Sequence, residues 1–450
     1  MAVILGIRRE DKNVWERRVP LTPGDVAELQ EEKGVRFLVQ TSPIRVFSDQ
    51  EYREAGADVV EDLSPASIVL AVKEIPVQEL RPERTYVFFA HVIKGQAYNM
   101  PMLQHLLDSG CSLVDYERVV DEEGRRLIFF GVEAGQAGAL ETLWALGQRL
   151  KTQGVATPLS ELRHAYEYEN LAAAKEHLRT IGQAILEQGS GQPSDPGDPG
   201  GTGPESSQGF PWPLVFGVAG YGNVARGCQE ILDCLPTEEV AVEDLPMAHR
   251  PGTVPFLRVT FEERHMVEPV QEGATFELQD YYQHPEKYAG RFEEHLPHLD
   301  VLLNTIYWDE RYPRLVTREW ARANYGPGRS PRLQVIGDIS CDVEGSVELT
   351  LKTTEPDEPC FVYDPLTDSI TMGVAGDGPA VMAVDNLPCE LAREASEHFS
   401  HVFRTMIPDL ARADWSADFE TLELPSHLQK ALIVHRGRLT PDYQYLTRYL

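Results

Sequence analysis

Apolar residues come along this chain in short continuous runs, starting with VILGI (3–7) and repeating at RFLVQ (36–40), SIVLAV (67–72), TYVFFA (85–90) and CSLVDY (111–116). Between the first two lies TPGDVAELQEEKG (22–34), with Thr22 placed to cap a helix, Pro23 in its first turn and Gly34 to stop it. MPMLQHLLDSG predicts another helix before the fifth run. Strands that are apolar at nearly every position belong to a parallel sheet covered on both faces.

The pattern then lengthens. Residues 134–153, AGQAGALETLWALGQRLKTQ, predict a long helix rich in small residues, and SELRHAYEYENLAAAKEHLRTIGQAILEQ (160–188) predicts a second. A Gly/Pro/Ser-rich stretch without periodicity follows at 189–210 and reads as a flexible surface insert. PLVFGVAGYGNVARGCQEIL (213–232), EVAVED (239–244), DVLLNTIYW (300–308) and LQVIGDIS (333–340) predict strands of a second parallel sheet. DNLPCELAREASEHFSHVFRTMIPDLARA (385–413) predicts a long helix capped by Asn386 or Asp385.

Composition narrows the function classes. The chain has 450 residues, enough for two or three domains, with 42% hydrophobic and 9% aromatic residues. A formal charge of −30 argues against a nucleic-acid partner, which requires clustered Lys and Arg. No apolar run approaches the ~20 residues that span a bilayer, and MAVILGIRRE lacks the layout of a secretory signal. Cys111, Cys228, Cys234, Cys341, Cys360 and Cys389 are scattered, without CxxC pairs or metal spacing. The expectation is a soluble cytoplasmic protein with reduced thiols and neither a metal site nor a membrane partner.

Three groups of residues carry chemistry. FGVAGYGNVARG (216–227) follows a strand and opens a helix: Gly220 and Gly222 allow a tight turn close to a pyrophosphate, and Ala225 keeps the helix near the strand. Glu243 or Asp244, ending EVAVED, is the expected acid on the ribose. Lys73 and His91 stand at the C-terminal ends of successive strands, where open α/β sheets bind ligands. A partly desolvated lysine can act as a base there, and a histidine exchanges protons near neutrality. Arg17 and Arg18 after the first strand, and Arg125 and Arg126 in a hairpin, could fork onto carboxylates. Strand ends also simply meet water, and arginines on an acidic protein also serve acidic neighbours, so the residues alone leave both readings open.

The segments WERRVPLTP, VKEIP, FFAHVIKGQ, DYERVVDEEGRR, FGVEAGQAG, NTIYW, GDISCDVEGSVE and DNLPCELAREASEHFSH occur in an order that resembles the lysine–2-oxoglutarate reductase family. That family includes lysine-forming saccharopine dehydrogenase and the first half of bifunctional aminoadipic semialdehyde synthase. Alanine dehydrogenase and the nucleotide-binding subunit of transhydrogenase are similar more distantly. The resemblance implies an α/β protein of two Rossmann-like, doubly wound domains with a substrate cleft between them. Residues 1–140 plus 385–450 would form the substrate domain and 141–384 the dinucleotide-binding domain.

By the same resemblance, Lys73 is the general base and His91 the general acid. Arg18, Gln96, Arg126, Phe130, Ile306, Tyr307 and Trp308 fall on substrate-binding positions. Arg125, Gly222, Asn223, Val224, Asp338, Ile339 and Ser340 fall on cofactor-binding positions, beside Gly220 of the loop and Glu243 of EVAVED. The implied reaction interconverts saccharopine with L-lysine and 2-oxoglutarate. The cofactor is NADP or NAD: the acid after EVAVED favours NAD, and the reductase relatives lean the choice to NADP. A relative acting on another amino acid, or a non-catalytic nucleotide-binding or transhydrogenase-type module, is the alternative, and self-association stays open. The animal and plant relatives continue into a glutamate-forming domain that is expected to be missing here, and the Gly/Pro/Ser insert has no counterpart in them.

Overall fold

The computed structural model describes residues 3–189, 210, 212–250, 254–326, 328, 329 and 331–450, so all but the end residues of the 189–210 insert lie outside the described residues. The chain divides into two compact units, Met1–Phe130 with Ala392–Leu450, and Gly131–Leu391.

In the first unit, strands β1 (Ile4–Ile7), β2 (Arg36–Gln40), β3 (Asp58–Val60), β4 (Ile68–Leu70), β5 (Thr85–Phe88) and β6 (Ser112–Asp115) are parallel. Helix α1 (Pro23–Lys33) begins and ends as its sequence dictates: Thr22 Oγ1 accepts the Asp25 N–H at 3.3 Å, and Gly34 turns left-handed at φ 65°. Two further helices, α2 (Asp49–Glu54) and α3 (Met100–Asp108), lie in the connections.

The second unit opens with α4 (Gly131–Thr152) and α5 (Leu171–Gln188). The expected helix from 160 starts late, because Pro158–Glu161 and Ala165–Glu167 form separate short 3₁₀ turns and Asn170 caps α5 by accepting the Ala173 N–H. Strand β7 (Leu214–Ala219) leads through the glycine loop into α6 (Asn223–Leu232). Strands β8 (Thr237–Glu239) and β9 (Phe256–Phe261) follow, then a small antiparallel pair, β10 (Val267–Pro269) and β11 (Tyr288–Gly290). Strands β12 (Val301–Asn304), β13 (Val335–Asp338), β14 (Cys360–Asp364), β15 (Ser369–Met372) and β16 (Ala380–Met382) complete the unit. Small residues let α4 and α6 touch backbone to backbone: a Cβ on Gly135 would lie 1.9 Å from Val224 O.

EVAVED is not a strand. Only Thr237–Glu239 pairs, at the sheet edge, and Val242–Met247 is a 3₁₀ helix containing Pro246. The long helix expected over 385–413 is likewise broken, into a 3₁₀ turn at Leu387–Cys389, a helix at Ala392–Phe403 and a short one at Ile407–Arg412. Pro388 and Pro408 open new first turns, so Asp385 and Asn386 lie well ahead of the main helix. The chain then adds β17 (Leu432–His435) and β18 (Arg438–Leu439), antiparallel, to the first sheet.

The two sheets run β18-β17-β6-β5-β4-β1-β2-β3 and β15-β14-β16-β13-β12-β7-β9-β8. In the first, successive strands build outward in both directions from β1; in the second, β9 and β8 lie on one side of β7 and β12, β13, β16, β14 and β15 on the other. The strand order therefore reverses between β1 and β4, and again between β7 and β12. Both units are Rossmann-like, and the carboxyl ends of strands at such a reversal form the crevice that binds ligands in this class of sheet.

Candidate functional site

At the reversal of the first sheet, β1 and β4 end side by side, with Ile7 paired to Leu70. The chain beyond β1 carries Glu10, whose buried carboxyl accepts the Val72 and Lys73 backbone N–H groups at 2.7 and 3.0 Å. Burial first, then the charge of Glu16, pushes that carboxyl up. Those two bonds fix the backbone from which the half-buried Lys73 side chain projects. Among the described residues its Nζ has no hydrogen-bond or ion-pair partner. Burial lowers the Lys73 pKa, and the positive charges of Arg18 and Lys12 lower it further against Glu16 and Glu74. The result is an amine shifted toward its uncharged, basic form.

His91 follows β5, the next strand over. Its Nδ1 lies 2.6 Å from Glu74 Oε1, and among the described residues Nε2 has no hydrogen-bond partner. Burial would raise Glu74, but the hydrogen bond and charge of His91, with Lys12, outweigh it and hold the carboxyl at about 2. His91 sits at φ 47°, a left-handed conformation that costs a non-glycine residue about 1–2 kcal/mol. Asn99 Nδ2 donates to Ala90 O at 2.9 Å and helps hold that turn.

Arg18 is buried, and its Nε and Nη2 donate to Glu16 Oε1 and Oε2 at 2.8 and 2.6 Å. Its guanidinium carbon stands 4.4 Å over the Phe130 ring, which in turn stacks on Phe399 with centroids 5.6 Å apart. Lys73, His91, Arg18 and Phe130 thus belong to one group of interacting residues within the first unit. Gln96 stands in the His91 loop, where its side-chain oxygen accepts the Lys94 N–H at 3.0 Å. The exposed turn at 121–126 holds the other two arginines: Arg125 donates to Asp121 and Glu123, and Arg126 pairs with Glu117. Arg125 therefore faces two carboxylates of its own turn.

The sequence reading missed several members of this group. Glu10, Glu16 and Asn99 lie in loops, where nothing in the apolar pattern marks them. Asp115 was readable, because it ends the third successive strand just as Lys73 and His91 follow the first two. It is fully buried: Oδ1 accepts the Glu117 N–H at 2.9 Å, and Oδ2 has no hydrogen-bond partner among the described residues. Burial pushes its carboxyl up to about 7, against the Glu117 N–H and the charge of His91.

The second sheet's reversal is built mainly from glycines and backbone. Gly220 leaves β7 at φ 108°, where a Cβ would lie 2.7 Å from Thr305 Oγ1, so only glycine fits. Gly222 precedes α6, whose first N–H groups have no side-chain cap, and a Cβ there would meet nothing within 4 Å. Asn223 and Val224 form the first turn of α6. Uncapped N–H groups at a helix start, beside open space, suit the pyrophosphate of a dinucleotide. Gly220 and Gly222 line a cavity of ≈ 450 Å³ together with Tyr221, Glu263, Ile306 and Tyr307.

The remaining expected residues of this unit divide. Ile306 and exposed Tyr307 reach the cavity after β12, whereas Trp308 turns its Nε1 onto Tyr312 O at 3.0 Å. Asp338 is buried and accepts hydrogen bonds from Asn304 Nδ2 at 2.7 Å and Thr350 Oγ1 at 2.6 Å, while burial raises it to about 6. Its carboxyl is committed to the protein interior. Ile339 is buried, and Ser340 bonds Ile306 O through its hydroxyl. Glu243 is exposed within the 3₁₀ helix that replaced the expected strand, so it does not end a strand beside the glycine loop. On the side of β7 away from β12 runs β9, which pairs Phe261 with Ala219 and is followed at once by Glu262 and Glu263. Glu263 Oε1 accepts the Tyr282 hydroxyl at 2.5 Å at the cavity wall.

Residues 6–137 match the family profile described as alanine dehydrogenase/PNT, N-terminal domain, and residues 254–442 match alanine dehydrogenase/PNT, C-terminal domain. The chain is 36% identical to alpha-aminoadipic semialdehyde synthase of Arabidopsis thaliana, over 99% of this chain and 41% of that protein. It is 33% identical to the mitochondrial alpha-aminoadipic semialdehyde synthase of Bos taurus, over 99% of this chain and 48% of that protein. It therefore spans less than half the length of these two relatives. Saccharopine dehydrogenase [NAD(+), L-lysine-forming] of Neurospora crassa is 28% identical over 92% of each chain. Among solved structures, an L-alanine dehydrogenase shares the fold with a TM-score of 0.61 at 19% identity, covering 99% of each chain. The transhydrogenase from Sinorhizobium meliloti does so with a TM-score of 0.53 at 15% identity, covering 97% of this chain and all of that one. No helix among the described residues is long and apolar enough to cross a membrane.

Proposed function

Because the chain belongs to the alanine dehydrogenase/PNT family, we propose that it is a pyridine-nucleotide-dependent oxidoreductase that interconverts saccharopine with L-lysine and 2-oxoglutarate. The observation that carries this reading is the pairing of a lysine shifted toward its neutral form with a carboxylate-bound histidine on adjacent strand ends. Joining an amine to a ketone, losing water and reaching the imine each require a proton to move, so two groups with different proton affinities serve them in turn. Lys73, in its uncharged form, accepts the proton lost by the attacking amine. His91, with Glu74 fixing Nδ1, passes a proton through Nε2 to the oxygen that leaves as water. Arg126 offers a guanidinium to a substrate carboxylate in exchange for Glu117, and Phe130 with Arg18 forms an apolar and cationic wall.

The dinucleotide is held by the glycine loop and the start of α6, and when bound it supplies or accepts the hydride. We assign NAD rather than NADP, since Glu263 beside the loop suits free ribose hydroxyls and repels a 2′-phosphate. A spectrophotometric screen of amino acid and 2-oxo acid pairs with NADH and NADPH tests both statements. Cofactor oxidation with lysine plus 2-oxoglutarate, faster with NADH, is the expected result. Turnover with a different pair moves the protein to another amino acid dehydrogenase. Nucleotide binding without turnover on any pair makes it a binding module.

A further inference from the structure

We propose that the segment Pro441–Tyr449 is a strap that positions the loop carrying His91, with Tyr445 and Tyr449 as its holding points; the inference rests on reading His91 as the proton donor. That loop has no regular structure and turns left-handed twice, at His91 (φ 47°) and at Gly95 (φ 69°). A non-glycine residue stays in such a conformation only where its surroundings determine it. From the interior, Asn99 Nδ2 holds Ala90 O, and the Gly95 N–H closes a turn onto Val92 O at 2.9 Å.

The outer hold comes from residues 441–449. The Tyr445 hydroxyl donates to Ile93 O at 2.6 Å, two residues beyond His91. The Tyr449 ring occupies the space a Cβ on Gly95 would take, 2.5 Å from that position at its nearest ring atom. Gly95 is therefore required twice, by its left-handed φ and by the ring pressed against it. Arg448 ties the two tyrosines together: its guanidinium carbon lies 4.7 Å from the Tyr449 ring centre and 5.8 Å from that of Tyr445, and Nη2 donates to the Tyr449 hydroxyl at 2.7 Å. At its base the segment is fastened by buried Tyr443 and Leu446, with Arg118 Nε donating to the Tyr443 hydroxyl at 2.9 Å.

Tyr445 and Tyr449 are each 40% exposed, so they add little to the core. What they fix is the path of the backbone from Ile93 to Gly95, and with it the placement of His91 Nε2. Proton transfer is sensitive to displacements well below 1 Å, so a loosened loop lowers turnover before it lowers binding. Both tyrosines are positioning residues in this account; neither touches a reactant.

The test uses the full chain with Tyr449→Ala, Tyr449→Phe, Tyr445→Phe and, as reference, His91→Gln. It reads kcat across pH, nucleotide affinity, and amide exchange of residues 92–96. Tyr449→Ala is expected to lower kcat roughly tenfold, speed exchange in that loop and leave nucleotide affinity unchanged. Tyr449→Phe keeps the ring and is expected to restore most of the loss. Tyr445→Phe, which deletes a single hydroxyl, gives a smaller effect of the same kind and carries the test should Tyr449→Ala not fold. Faster loop exchange with unchanged kcat, in a protein that His91→Gln inactivates, overturns the positioning role. So does a Tyr449→Phe variant as slow as Tyr449→Ala. If His91→Gln keeps full turnover, the reading of His91 fails separately; exchange in Tyr449→Ala then decides the strap alone, supporting it if faster and refuting it if unchanged.

Discussion

The first sheet's reversal gathers Glu10, Glu16, Arg18, Lys73 and Glu74 around two strand ends, each held by a hydrogen bond or shifted by its neighbours. The second sheet's reversal gathers Gly220, Gly222 and uncapped N–H groups, and its buried carboxyl, Asp338, is turned to Asn304 and Thr350. The same topology thus presents two chemistries. Moving protons needs side chains whose charge can change, and burial and pairing set when it does. Holding a dinucleotide needs backbone and empty space, which any added Cβ removes. The first site is therefore vulnerable to changes of charge at constant shape, the second to changes of shape at constant charge.

The largest effect expected on stability comes from Glu16→Ala. It removes the carboxylate that accepts from Nε and Nη2 of the buried Arg18 guanidinium, breaking a buried ion pair at a cost of about 3–5 kcal/mol. Urea denaturation of the wild type and the variant measures it. An unchanged midpoint would mean that solvent reaches Arg18 and that the charged site is not closed.

Asp115→Asn sharpens the contrast through pH. The Asp115 carboxyl moves from an ordinary 3.8 to about 7 on folding, so the folded state holds its proton more tightly than the unfolded state does. Its contribution is whole below pH ~4 and is lost as pH rises through about 7, an upper bound of ~4 kcal/mol. Asn does not titrate, so the fall in stability from pH 5 to pH 8 should flatten in the variant. Parallel stability curves for the two proteins would remove Asp115 from the titrating group.

At the second site, Gly220→Ala forces a Cβ against Thr305 Oγ1 at a φ of 108°. Nucleotide affinity should fall at least about tenfold, ~1.4 kcal/mol, with the proton-transfer residues untouched. Fluorescence titration reads this directly, and full affinity would place the dinucleotide elsewhere. Glu263→Gln is the smallest change. It should narrow the preference for NAD over NADP by about fivefold, the upper end for a partly exposed charge. A preference that does not move would clear Glu263 of any contact with the ribose.

The two sites were also unequally legible in the sequence. The glycine loop could be read because its requirement is local: strand, two glycines, helix, all within a dozen residues. Lys73 and His91 could be read because each interrupts or follows an apolar run, and Asp115 offered the same signal at the end of CSLVDY. The carboxylates that tune them could not, since Glu10 meets Lys73 only through the pairing of β1 with β4, which no local pattern records. Glu243 misled for the opposite reason. EVAVED alternates like a strand, but Pro246 and the exposure of its residues leave only Thr237–Glu239 in the ladder. FLRVTF, the strand that does flank the loop, went unread, and the acids that follow it went unread with it.

The central claim is that proton transfer and nucleotide binding reside in different units and can be separated by substitution. It is tested most directly on one preparation of Lys73→Met, by measuring NADH affinity and the rate of NADH oxidation with lysine plus 2-oxoglutarate. The account predicts wild-type affinity with turnover lower by roughly 10²–10⁴-fold, the range for a lost acid–base group. Near-normal turnover, or affinity and turnover lost together, would contradict it.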